Sequence, residues 1–467
     1  MNIKLVVASA VVFVGGSLLL ANDASAQFGR QVKVSDAVEP GFGGFHEPGI
    51  SAARCGNNVV VGFGDTESGK TNSGAGYAIS SDGARSFRDL GVLPVPTNDN
   101  FGFGPDAVGA NPSVACANSK VFYYAALYFS SNAPELCIGF PLCAGISVST
   151  SKDSGRVWGL PIIAIRASED SHTFDSPSVA VDPTNTQRLY MAYLETNSSP
   201  IDSDFFFPNC DQLTITEVRV VSSSDGGTTW TLPRIVDHSC DGSTNQEESG
   251  MLSGLKMAVA ADGKMYLSYE FRPFRQFGSP VPPNEIRFAR SLDQGTTFSA
   301  PMVVSTVADD SALPALAVDR TKSALAGTIY LTWSGSLTGT STDVLVSESL
   351  DQGSSFTFPR PIEPAGTASS HFQTSSALAV DNDGQVAACF YETPDNQPTN
   401  SSVYSYNCAT SFNFAATWTA QRLANSAIVN FDTLTSDFLL GSDGFFTAFE
   451  LQTNGTTTVV GASADTK

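Results

Sequence analysis

The sequence predicts an all-β chain folded as a β-propeller of four-stranded blades, and three observations carry that expectation. One eight-residue turn recurs: SSDGARSF at 80–87, SKDSGRVW at 151–158, SSDGGTTW at 223–230, SLDQGTTF at 291–298 and SLDQGSSF at 349–356. Short apolar runs with two-residue alternation flank the copies, and no stretch holds a convincing helical period. The turn aspartates fall at Asp82, Asp153, Asp225, Asp293 and Asp351, spaced too widely for a coiled coil or solenoid turn but suited to a blade with loops of variable length.

The third repeat shows the grammar. SPSVAVD (176–182) reads as an apolar inner strand, RLYMAYLE (188–195) as a second, TITEVRVVSSSD (214–225) as an alternating third and TWTLPRIV (229–236) as an outer fourth. The recurring turn therefore joins the third strand to the fourth. A sixth copy, SFNFAATW at 411–418, has decayed, with Asn413 for Asp and Ala415 for Gly. LTSDFLLGSDGFFTAFE (434–450) and GTTTVVGASAD (455–465) supply three further strands that stop at Ser463 and Asp465, where another turn should begin. The missing outer strand resembles FGRQVKVSD at 28–36, so the N-terminal strand is expected to complete a blade beside the C-terminal three. That makes seven blades, with six the alternative, in a ring whose closure removes exposed sheet edges.

Within each turn the Ser hydroxyl and Asp carboxylate can satisfy turn backbone, Gly permits a positive φ, and Trp or Phe packs between sheets. A ligand site should differ between blades, whereas these positions repeat. The turn aspartates are accordingly read as structural.

Residues 1–26 read as a secretory signal: Lys4, an apolar run from Leu5 to Ala21, then Ala24-Ser25-Ala26 as a cleavage site. Residues 27–467 are expected to form one propeller domain, secreted or periplasmic, monomeric and not inserted in a membrane. The eight cysteines form an even set for an oxidising compartment. Expected pairs are Cys137 with Cys143, Cys210 with Cys240, Cys389 with Cys408, and Cys55 with Cys116. No spacing suits zinc, and no cofactor is expected. Asp202 with Asp204, and Asp309 with Asp310, offer oxygen ligands for calcium but lack a full loop signature. The net charge of −21 excludes nucleic acid and anionic membranes as natural partners.

The turn strings resemble the Asp-box, or BNR, repeats of the sialidase superfamily, and the resemblance covers nearly the whole mature chain. It implies a sialidase-like propeller with boxes on one face and substrate on the other, where second-to-third and fourth-to-first loops converge. The reaction does not transfer with the fold. Family sialidases are six-bladed and carry a Phe- or Tyr-Arg-Ile-Pro motif, three carboxylate-gripping arginines, a Tyr-Glu nucleophile pair and an Asp acid. At the corresponding place this chain has GFHEPGISAA (44–53), with Glu47 and Pro48 where an arginine would stand.

The inner-strand mouths on the loop face offer His46 and Glu47, Asn111, Asp175, Ser253, Asp310, His371 with Gln373, and Asp432. Such a set, without arginine, disfavours a carboxylate sugar, because like charges brought together raise carboxyl pKa values. Glu47, Asp175, Asp310 and Asp432 are the candidates for glycoside hydrolysis, in which one carboxyl protonates the leaving oxygen and another acts as base or nucleophile. Substrate contacts are expected from His46, Asn111, His371, Gln373, Arg272, Arg275 and Phe206, the last three on long aromatic and proline-rich loops. Aromatic-acid pairs at second-strand ends, such as Tyr193 with Glu195 and Tyr269 with Glu270, repeat and so read as packing. The expected function is binding or hydrolysis of an extracellular glycan or glycoprotein, the alternative a non-catalytic binding or scaffold propeller.

Overall fold

The computed structural model describes residues 28, 31–38, 49–65, 73–96, 107–109, 111–130, 143–167, 172–197, 214–240, 249–274, 282–307, 312–322, 325–337, 341–362, 371–395, 398–399, 402–413, 415–426, 436–441, 444–453 and 456–465. The signal segment, His46, Glu47, Phe206, Arg275, Asp310, Asp432, Cys137 and Cys210 lie outside these residues.

The chain forms seven antiparallel sheets, each a four-stranded meander, with a two-residue extra strand Ala107–Val108 in the second. Innermost strands are Ile50–Cys55, Ser113–Cys116, His172–Asp182, Gly250–Val259, Ala315–Val318, Phe372–Val380 and Ser436–Gly441 in blades 1 to 7. Each touches the next, and the seventh touches the first, so the ring is closed. The N-terminal strand Val32–Val38 pairs with the C-terminal strand Thr456–Asp465 and is the outermost strand of blade 7. The two chain ends thus clasp one sheet, as the unfinished last repeat predicts.

Seven hydrophobic clusters hold the ring, and each draws its residues from two adjacent blades. The box aromatics Phe87, Trp158, Trp230, Phe298, Phe356 and Trp418 each pack into the cluster shared with the preceding blade. Cys55 and Cys116 form a disulfide across blades 1 and 2, and Cys389 and Cys408 one between neighbouring strands of blade 6. Cys240 is disulfide-bonded to a partner outside the described residues, and Cys143 is described only as strand backbone.

The box turn places two successive residues in the left-handed region: Gly83 and Ala84, Ser154 and Gly155, Gly226 and Gly227, Gln294 and Gly295, Gln352 and Gly353. The box aspartate then accepts the following amides and hydroxyls. Asp225 accepts from the Thr228 and Thr229 amides at 3.0 and 2.9 Å, and from the Ser223 and Thr229 hydroxyls at 2.8 and 2.7 Å.

Such donors stabilise the charged carboxylate and hold Asp225, Asp293 and Asp351 at about 2. At Asp82 partial burial pushes the other way and is outweighed by the same donors, again giving about 2. A folded pKa below the unfolded value of about 3.9 adds stability above pH 4 that is lost as pH falls through about 2. Thermal melting of the wild type is therefore expected to fall from pH 4 to pH 2, and less steeply in Asp225→Asn. Parallel slopes for the two proteins would remove the box carboxylates as the cause.

Candidate functional site

The innermost strands surround a central cavity of about 520 Å³. The residue that opens each inner strand onto it takes a left-handed backbone in five blades: Asn111 (φ 58°), Ser176 (φ 50°), Gly254 (φ 63°), Leu313 (φ 28°) and Ser375 (φ 53°). Strand pairing slips at the same place in blades 3, 4 and 6, so the ring is a repeated bulge. Three residues past the left-handed position, the amide is turned toward the preceding blade in three places. Serine hydroxyls receive it: Ser51 from Val114 at 2.9 Å, Ser113 from Val179 at 2.9 Å and Ser178 from Met257 at 3.3 Å. These clamps satisfy buried backbone donors that a sheet ladder would otherwise take.

Of the sequence candidates, Asn111 and Asp175 are brought together on the cavity wall. Asp175 Oδ1 accepts from Asn111 Nδ2 at 2.7 Å and from the Ser176 amide at 2.6 Å, and Oδ2 accepts from the Ser176 hydroxyl at 3.3 Å. Burial pushes its carboxyl up from the ordinary carboxylate range, against these bonds and the charge of Lys256. Asp175 is thus a carboxyl with raised proton affinity, lodged between blades 2 and 3 beside a polar cavity.

The other described candidates sit elsewhere. His371 Nε2 bonds Asp343 at 2.8 Å, and Gln373 Oε1 accepts the Val344 amide at 2.9 Å, so both join blade 6 to blade 5. Arg272 Nε donates to Glu270 at 2.9 Å. Glu270 is fully buried and also accepts from Ser253, Asn284 and the Ala312 amide. None of these lines the cavity. The aromatic members Tyr193 and Tyr269 are fully buried. Glu195 beside Tyr193 bonds His172 at 2.6 Å and Arg219 at 3.0 Å, and Tyr269 donates to Asp237 at 2.9 Å. These pairs are tied into interior networks, in keeping with a packing role.

The deeper wall adds cations to the residues expected at the strand mouths. Arg54, Lys256 and Arg320 line the cavity, against Asp175 as the carboxylate among the described residues. Sequence reasoning stopped at the strand mouths, whereas Lys256 lies within an inner strand and Arg320 just beyond one. Among the described residues no group of three or more His, Cys, Asp or Glu is placed to hold a metal ion.

No family model and no curated protein matches the chain. Among solved structures, an ulvan lyase of polysaccharide lyase family 25 is 9% identical, with a TM-score of 0.51 over 92% of this chain and 95% of its own. An α-L-arabinofuranosidase from Fusarium graminearum is 12% identical, with a TM-score of 0.49 over 82% of this chain and 97% of its own. The Hadza microbial sialidase Hz136 is 13% identical, with a TM-score of 0.46 over 88% of this chain and 74% of its own. At such identities likeness bears on the fold alone. The likeness agrees with the sheet topology, which makes the chain a seven-bladed β-propeller.

Proposed function

We propose that the protein is an exported propeller whose central cavity binds an extracellular glycan, and that Asp175 donates a proton to the leaving oxygen in its hydrolysis. The observation that carries this reading is a carboxyl with raised proton affinity on the wall of a polar cavity. General acid catalysis needs such a group, because an acid must still hold its proton near the working pH. Glycoside hydrolysis needs a second carboxylate, and Glu47, Asp310 and Asp432 are proposed for that role. His46, Phe206 and Arg275 are proposed to contact the sugar. The glycan class is supported by neighbours of like fold, among them the ulvan lyase bound to a GlcA(1-4)Rha3S unit. Export is supported by the N-terminal apolar run and the disulfides. We propose a monomer that binds neither nucleic acid nor membrane. No described helix is long and apolar enough to cross a membrane.

A second reading, glycan binding without turnover, is favoured by the three hydrogen bonds that Asp175 accepts, since they would hold the rim between two blades without any chemistry. Purified protein screened against neutral, uronate-containing and sialylated glycans separates the two. Hydrolysis of one substrate is expected, with Asp175→Asn lowering turnover by about 10² or more and binding by a few-fold. Hydrolysis at the wild-type rate in that variant would remove Asp175 as the acid. Binding without hydrolysis by the wild type would establish the second reading.

A further inference from the structure

The inner strands can be aligned on their left-handed residues, and then a side chain that departs from its column is released from the repeat's structural duty. Two positions later the column reads Ser113, Ser178, Lys256, Ala315 and Ala377 in blades 2 to 6, and Ser51 of blade 1 makes the same clamp as Ser113 and Ser178. Serine clamps the neighbouring blade there, and Lys256 does not. At the other end, three inner strands run into a buried aspartate, Asp182, Asp319 or Asp381, that accepts backbone amides of its turn. The residues that follow are Pro183, Arg320 and Asn382. Arg320 is thus the basic member of its column, at the end of the channel nearest the box turns.

Lys256 and Arg320 both line the cavity and are open to its water. Neither side chain has a hydrogen bond or ion pair with a described residue. Hydration lost beside the channel wall pushes the Arg320 guanidinium pKa down. Other interior cations are matched: Arg188 with Asp182, Arg219 with Glu195, Arg287 with Asp237, and Arg360 with Glu348. The chain has 46 acidic residues against 25 basic ones, so carboxylate partners are abundant. Two cations without a direct ion pair line its central channel, Lys256 feeling only the field of Asp175, and they make the described wall locally basic. Arg54 also lines the channel but is engaged, its Nε donating to the Gly56 carbonyl at 3.1 Å.

We infer that the cavity receives a ligand bearing an anionic oxygen group, carboxylate or sulfate, gripped by Arg320 toward the box-turn end of the channel and drawn in by Lys256 on the way. A guanidinium offers a planar fork that matches both oxyanions, and it is less strongly hydrated than an ammonium. Within protein walls the attraction exceeds its value in bulk water. The inference deepens the glycan reading, on which its saccharide part rests, by making the sugar an acidic one. The anion site itself does not need that reading.

Calorimetric titration tests it with three probes: sodium sulfate, a glucuronate-containing oligosaccharide and the same oligosaccharide with its carboxyl reduced to the alcohol. The wild type is expected to bind the acidic sugar at least 10-fold more tightly than the neutral one, with affinity falling as salt rises. Arg320→Gln is expected to abolish that preference and the binding of sulfate, and Lys256→Gln to weaken both by a few-fold. Melting temperature and circular dichroism check that each variant is folded, and Lys256→Gln carries the test if Arg320→Gln is not. Equal affinity for both sugars would overturn the inference and leave the glycan reading standing. Sulfate binding that depends on Arg320, without binding of any saccharide, would keep the anion site and remove the glycan reading. No response of the wild type to any probe would overturn it outright.

Discussion

Valine at Gly353 is expected to destabilise the propeller by about 2–5 kcal/mol, from a left-handed backbone that a branched residue tolerates poorly and from overpacking of the blade interface. Gly353 has φ of 77°, and a Cβ there would stand 2.4 Å from the nearest ring carbon of Phe288 in the preceding blade. Phe288 cannot retreat, because its ring is held between Tyr266 at 5.9 Å and Phe356 at 4.9 Å, centroid to centroid. The two costs can be separated. Ala84 and Ala415 occupy the same box position with φ of 69° and 58°, buried in their own interfaces, so the turn itself accepts a Cβ. Gly353→Ala therefore mainly reports the clash, and shrinking the opposing ring with Phe288→Leu should recover part of the loss. Urea unfolding of the single and double variants measures the coupling. If Gly353→Val unfolds with the wild type, the box glycine does not form the blade contact described.

The boxes are legible in the sequence because every blade makes the same demand of the same side chains. Ser223, Asp225 and Trp230 perform in blade 3 what Ser349, Asp351 and Phe356 perform in blade 5, so identical needs leave identical letters. The closing blade is legible for the same reason, since the last three strands repeat the pattern of the others and the N-terminal strand supplies the fourth. Conformation without a fixed side chain is harder to see. The first left-handed residue of the turn is Ser154, Gln294 or Gln352 in three copies, and nothing in those letters announces a positive φ. The ring of bulges at the cavity mouth is hidden likewise behind Asn111, Ser176, Leu313 and Ser375. The position of His371 and Gln373 at the start of an inner strand predicts that they face the pocket. The structure turns both toward Asp343 and Val344 of the neighbouring blade, because a strand at a blade interface directs alternate side chains away from the channel. Lys256 and Arg320 could have been found from their columns, since each departs from the residues at the same place in the other blades.

Methionine at Arg219 is expected to cost about 3–5 kcal/mol at pH 7, because it leaves buried carboxylates without their cation. Arg219 is shielded in blade 3, its Nε donating to Glu217 at 2.6 Å and its Nη1 pairing with Glu195 at 3.0 Å. Glu195 and Glu217 stand directly opposite one another on paired strands, with side chains 7% and 6% exposed. Burial opposes the Arg219 charge, but the Glu195 and Glu217 charges overcome it and hold its pKa above the ordinary value. For Glu217 burial is the larger influence and pushes its carboxyl up, with Arg219 holding it down. Removing the guanidinium takes that restraint away, so the folded variant holds a proton that the unfolded chain releases. A folded acid pKa above the unfolded value lowers stability above it and returns that stability as pH falls through it. The gap between wild type and Arg219→Met should therefore narrow from pH 7 to pH 5 in urea unfolding. Arg219→Lys keeps the charge but loses the fork to two carboxylates, and should fall between them. A gap below about 1 kcal/mol, or one that stays constant across that range, would show that the cluster is solvated and adds little. A narrowing gap would make it a buried clamp, fixing the paired ends of the second and third strands of blade 3.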